Sequence, residues 1–112
     1  MVHCALIIDD EEDICILLST YLRKKNIDAH YALTLADGLR KLAELKPTIV
    51  FLDNNLPDGS GIDTIPFIRE SHKTVKIIII SAMTNLKERA FANSADAFID
   101  KPISFENIQE LI

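Results

Sequence analysis

Long apolar runs are missing from this chain. Stretches such as Ile77–Ile80 fall far short of the roughly 18 residues that a bilayer crossing demands, so no membrane-spanning helix is expected. The N-terminus, Met-Val-His-Cys, offers neither a charged leader region nor a cleavage site, which argues against a secretory signal. Cysteine is scarce: Cys4 and Cys15 are the only two, and they read as small buried or half-buried hydrophobes in a reducing, cytoplasmic setting rather than as a disulfide or metal ligands. Basic charge is in short supply as well. Twelve Lys and Arg face 17 Asp and Glu, a net charge of −5, which argues against direct nucleic-acid binding and suits a cationic ligand or a basic partner. His3, His30 and His72 are scattered, with no acid or nucleophile motif beside them, and read as surface or packing residues. Linkers, low-complexity tracts and fixed-period repeats are also absent. The 112 residues, 48% apolar and 26% charged, therefore form one globular domain over 1–112.

What is present is an alternation of strand-like and helix-like segments. Ala5–Ile8, 27–33, Thr48–Leu52, Val75–Ile80 and 96–99 read as strands, the central ones as unbroken Ile/Val runs of the kind covered on both faces. Ile14, Leu17, Leu18, Tyr21 and Leu22 make the stripe of a first amphipathic helix, ending in Arg23-Lys24-Lys25 where the helix dipole favours cations. Thr34 with Asp37 three residues on marks the start of a second, weakened by Gly38. Ile62, Ile65 and Ile68 carry a third; Pro66 within it predicts a late start, with the proline in the first turn, or a kink. A short helix around 85–92 and a last one from Ser104 complete five βα units. The expected fold is α/β, a doubly wound (βα)5 flavodoxin-like three-layer sandwich around a five-stranded parallel sheet, its last helix cut short at Ile112.

Four of the apolar runs end in residues that handle charge: Asp9-Asp10, Asp53, Ser81 and Lys101-Pro102. Parallel neighbours would bring these onto the edge beyond the strand carboxyl ends, where open α/β sheets bind ligands. Ile-Ile-Asp9-Asp10-Glu11, Phe-Leu-Asp53-Asn-Asn-Leu-Pro57-Asp-Gly-Ser-Gly61, Ile-Ser81-Ala82 and Lys101-Pro102, in that order and across the whole chain, resemble the signature of response-regulator receiver domains of two-component signalling. The resemblance implies a phospho-acceptor module whose partners are a sensor histidine kinase or phosphotransfer protein and an output domain or downstream protein. It also implies a phosphorylation-dependent homodimer, and no turnover of an external substrate.

The site chemistry follows. Three close carboxylates repel, and a hard divalent ion, Mg²⁺ or Mn²⁺, removes the conflict. Asp53 is the expected nucleophile, with Lys101 and Ser81 on separate phosphoryl oxygens. Asp10 and Asp53 would hold the ion, with Asp9 acting through a water. By the resemblance, the backbone carbonyl of Asn55 completes the set, the Lys101–Pro102 peptide is cis, and Ser81 with Phe98 forms a switch that alters the face made by the fourth helix, last strand and last helix. Phe98 stands where tyrosine is commoner in the family.

Two departures stand out. Ser81 and Lys101 are 20 residues apart, shorter than the family spacing, so the fourth helix should be short. Met83 is apolar where a polar residue could orient an attacking water, which predicts slow loss of the phosphoryl group. Competing readings fare worse. An Asp-nucleophile hydrolase of the haloacid dehalogenase type wants Asp-x-Asp, whereas Asn54-Asn55 follow Asp53. A flavin or dinucleotide binder wants a phosphate loop where the acidic run 9–13 stands. A pseudo-receiver acting only as a docking or dimerisation module is the alternative, but it usually lacks an acid or the lysine.

Overall fold

The computed structural model describes residues 4–112; His3 lies outside the described residues. Five strands, β1 (Cys4–Ile8), β2 (Asp28–Ala32), β3 (Ile49–Asp53), β4 (Lys76–Ser81) and β5 (Ala97–Asp100), form one parallel sheet in the order β2-β1-β3-β4-β5. The helices between them are α1 (Glu12–Lys24), α2 (Leu35–Leu45), α3 (Gly61–Ser71), α4 (Lys87–Ala92) and α5 (Phe105–Leu111). Ile/Val-rich strands are dictated by burial on both faces. Leu6, Ile8, Val50, Leu52, Ile77 and Ile79 meet α2, α3 and α4 through Leu35, Leu42, Ile62, Ile65, Ile68 and Ala90. Ala5, Ile7, Phe51, Ile78, Ile80 and Ile99 meet α1 and α5 through Cys15, Leu18, Leu22 and Ile108. The result is the expected three-layer, flavodoxin-like arrangement. Among the described residues, no helix is long and apolar enough to cross a membrane.

Three local expectations need adjustment. The buried phase of α1 is Cys15, Leu18, Ser19 and Leu22, not the Ile14–Leu17–Tyr21 side of the stripe; Leu17 is exposed. Small Cys15 and Ser19 let the helix sit close to the sheet, while Tyr21 turns to α5 and stacks on Phe105 with centroids 4.4 Å apart. Gly38, which reads in sequence as a weakness of α2, is a close-approach residue. A Cβ there would lie 2.6 Å from Ile8 Cδ1. The third adjustment concerns α3, which does not start late. It begins at Gly61, five residues before Pro66, because the preceding loop fixes its first turn. Asn54 Oδ1 accepts from Ser60 Oγ (2.9 Å) and from Ile62 N–H (3.1 Å), and the Gly61 N–H donates to the Asn54 carbonyl (3.0 Å). Those bonds anchor the helix start in spite of the hydrogen bond that the proline removes. α4 is short, six residues after a single 3₁₀ turn at Thr84–Leu86.

Candidate functional site at the carboxyl edge of the sheet

Strand register lines up the chemistry. Ile8 pairs with Leu52, Asp53 with Ile80 and Ser81 with Asp100, so Asp9, Asp53, Ser81 and Lys101 emerge from four adjacent strands along one edge. Oxygens of Asp9, Asp10 and Asp53 all lie within 4.8 Å of one another. The Lys101 ammonium reaches into the same group, 3.3 Å from Asp53 Oδ1 and 3.1 Å from Asp9 Oδ2. The Lys101–Pro102 peptide bond is cis. A cleft of about 280 Å³ opens above, lined by Asp10, Glu11, Asp53, Asn55, Ala82 and Lys101.

Local sequence explains each position. Asp9 is wholly buried; its backbone N–H donates to the Ala32 carbonyl, and its Oδ1 accepts from the Glu11 N–H at 2.9 Å. Asp10 is exposed, facing the cleft. Asp53 terminates β3 with its side chain 5% exposed, and Gly61 packs so tightly behind it that a Cβ would lie 2.2 Å from the Asp53 carbonyl oxygen. The Asp53 carboxyl is pushed up to about 6, first by burial and then by repulsion from Asp9, against the pull of Lys101. Burial likewise raises Asp9, opposed by the Glu11 N–H and by Lys101. Burial alone would lower the Lys101 pKa, but its hydrogen bond to Glu11, with the charges of Asp53 and Asp9, holds it above the usual lysine range.

Asp9 Oδ2 lies within ion-pair distance of Lys101, yet it is a buried oxygen with no aligned hydrogen-bond donor. A buried carboxylate oxygen with open lone pairs, beside two more carboxylates, is a donor set that fits a hard divalent cation. Oxygen-only ligation and room for waters favour Mg²⁺.

Of the other expected residues, Asn55 lines the cleft, and Ser81 and Phe98 do not. Ser81 is buried, and its Oγ accepts the Met83 N–H at 3.0 Å, which leaves its own proton free to donate. Phe98 is half-buried, packed against the cluster under α2, α3 and α4, away from the acids. Asn55 Nδ2 lies 3.8 Å from Met83 Sδ, so these two side chains meet across the cleft mouth.

Two contributors escape sequence reading. Glu11 Oε1 accepts from Lys101 Nζ at 2.7 Å, closer than either aspartate. Asp58 accepts from the Leu35 and Ala36 N–H groups at 2.8 and 2.9 Å, capping α2 and anchoring the loop that follows Asp53. Those two bonds hold its carboxyl below the usual range. The acidic run 9–13 hinted at Glu11; nothing in the local sequence hinted at Asp58, whose partners are more than 20 residues away.

The response regulator protein PilR of Pseudomonas aeruginosa is 33% identical over 110 residues, covering 96% of this chain and 25% of its own length. The KDP operon transcriptional regulatory protein KdpE of Escherichia coli is 34% identical over 106 residues, covering 93% of this chain and 47% of its own. The chain thus spans between a quarter and a half of these relatives. Among solved structures, response regulator protein TrrA of Thermotoga maritima, in complex with Mg²⁺ and BeF, matches with a TM-score of 0.87 at 27% identity, covering 97% of this chain and 95% of that one. The family model of the response regulator receiver domain matches residues 5–112. The chain belongs to the response regulator receiver domain family of two-component systems.

Proposed function

We propose that Asp53 accepts a phosphoryl group from a phosphohistidine donor, a sensor kinase or phosphotransfer protein, and that the new charge switches the surface built by α4, β5 and α5. The observation that carries this reading is a nearly buried carboxylate at a strand end, with a lysine ammonium at 3.3 Å and two more carboxylates beside it. An Asp53 oxygen attacks phosphorus; the P–N bond breaks, and its electron pair returns to the imidazole nitrogen, which takes a proton from water. Asp10, Asp53 and the Asn55 backbone carbonyl would hold Mg²⁺ or Mn²⁺, with Asp9 contributing through a water. When bound, the ion supplies charge neutralisation among the carboxylates and across the phosphoryl oxygens.

The chain's own groups do the positioning. Lys101 exchanges Glu11 for a phosphoryl oxygen, and the Ser81 hydroxyl donates to another, its acceptor side already occupied by the Met83 N–H. Drawing Ser81 toward Asp53 vacates space into which Phe98 turns, a population shift biased by one local charge. The receiver is a signalling module, with Asp53 as its only reacting group and an output domain or separate protein as its reader.

Incubation with Mg²⁺ and acetyl phosphate, followed by intact mass, tests the acceptor. One phosphate should add, and should be lost both in Asp53→Ala and on chelation of the divalent ion. Absence of any adduct under these conditions would support a docking module instead.

A further inference from the structure

The opposite, amino-terminal side of the sheet holds a second group of ligating side chains. Cys4 opens β1, and Asp28 stands directly across from it on β2; His30 is two residues further along β2, paired with Leu6. In parallel strands of this register, residues two apart point to the same face, here the one that carries Leu6 and Ile8. The Cys4 thiol, an Asp28 carboxylate oxygen and a His30 ring nitrogen all lie within 4.8 Å of one another. His30 Nε2 is 3.0 Å from Asp28 Oδ2. Cys4 is half-buried, with its backbone carbonyl pinned by the Thr48 N–H at 2.9 Å and the Thr48 hydroxyl at 3.0 Å, while Asp28 is exposed and His30 half-buried. We infer that Cys4, Asp28 and His30 form a binding site for a thiophilic divalent cation of the Zn²⁺ class, separate from the acidic cleft.

Donor chemistry separates the two sites. The cleft offers only oxygens, which suit Mg²⁺. Thiolate, imidazole and carboxylate together suit zinc, whose bonds of about 2.0–2.3 Å place tetrahedral donors roughly 3.5 Å apart. Closing the present set, within 4.8 Å, to that spacing takes side-chain adjustments that exposed Asp28 and half-buried His30 can make. Burial and the neighbouring Asp28 charge hold the Cys4 thiol above its ordinary range, so without a cation the sulfur stays protonated. On binding, the thiol proton passes to solvent and the sulfur–metal bond forms. Three protein ligands leave a fourth position for water. Because β2 is an edge strand, bonded among the described residues only to β1, a shared ion would staple its start to the sheet.

The test is titration of the whole chain with Co²⁺, a spectroscopic substitute for Zn²⁺, in excess Mg²⁺ so that the acidic cleft does not contribute. The expected result is one equivalent bound with a thiolate-to-cobalt charge-transfer band, displaced by Zn²⁺, and a higher melting temperature with Zn²⁺ than without. Cys4→Ser should abolish the band, and His30→Ala should weaken binding at least about tenfold. Circular dichroism confirms that each variant folds, and should Cys4→Ser unfold, His30→Ala alone decides. Absence of the band overturns the inference, as does its persistence in Cys4→Ser, which would assign it to Cys15. Unchanged affinity in His30→Ala overturns it equally. Each result is independent of whether Asp53 takes up phosphate.

Discussion

Among the described residues, Lys101 is the single cation beside four acids, Asp9, Asp10, Glu11 and Asp53, and its ammonium lies within 3.3 Å of three of them. Removing one partner of a buried charge group leaves the others uncompensated, at a typical cost of about 3–5 kcal/mol. Some of that is recovered here, because Asp53 can take a proton and Asp10 is exposed. Lys101→Ala is therefore expected to destabilise the fold by about 2–3 kcal/mol at pH 8 in urea unfolding. At pH 5, where Asp53 is neutral, the loss should shrink to less than half. Equal losses at both pH values would mean that the lysine acts through packing rather than charge. Met83 poses a different question at the same scale. Its thioether meets the Asn55 amide, so no polar group from this position orients water toward a phosphorylated Asp53. The phosphorylated protein should persist for hours, measured by intact mass after removal of the donor. Met83→Asn should shorten the half-life by about tenfold or more, toward the roughly 10²–10⁴-fold that a positioned proton-transfer group contributes.

At the scale of elements, α3 shows how the site and the fold share residues. Pro66 is exposed in the second turn, where its missing N–H leaves the Ile62 carbonyl without its helical donor. Pro66→Ala should therefore stabilise the protein by about 1–3 kcal/mol, with acetyl-phosphate reactivity unchanged. Gly61→Ala should do the reverse. Its Cβ would collide with the Asp53 backbone, so melting temperature and phosphate uptake should fall together. Differential scanning calorimetry paired with intact mass separates the two outcomes. These two positions also mark where the sequence was and was not readable. Ile62, Ile65 and Ile68 announced the helix and its inward face correctly, because periodicity is a local property. The start at Gly61 was hidden, because it is set by side-chain bonds from Asn54 and Ser60 that outweigh proline's preference for a first turn. In α1 the same limit applied: either phase of an apolar-rich stripe could face the sheet, and only packing against β1 and β2 selected Cys15 and Ser19 over Leu17. The acids and the lysine were legible because strand ends are legible. Glu11 and Asp58 were not, since their partners lie 90 and more than 20 residues away.

For the molecule as a whole, the acid cluster links stability to pH and to divalent ions. Asp53 has a pKa of about 6 in the fold, against about 3.9 in an unfolded chain. The folded state therefore holds this proton more tightly, and its stabilising contribution is fully present below pH 4. It fades as pH rises and is gone above about 6, where the ionised, buried carboxylate stands as a penalty on the order of 2–3 kcal/mol. A cation that binds only the folded, ionised site offsets that penalty by mass action. Millimolar Mg²⁺ should thus raise the melting temperature by several degrees at pH 8 and hardly at all at pH 5. Asp53→Asn removes the titrating group while keeping its shape. Without divalent ions it should be more stable than the parent at pH 8, and about equal to it at pH 5. Its response to Mg²⁺ should be small at both. Thermal unfolding at the two pH values, with and without Mg²⁺ and with ionic strength held fixed, measures all of these differences. A parent protein that gains as much from Mg²⁺ at pH 5 as at pH 8 would place the ion away from Asp53, and the acceptor would have to work without it.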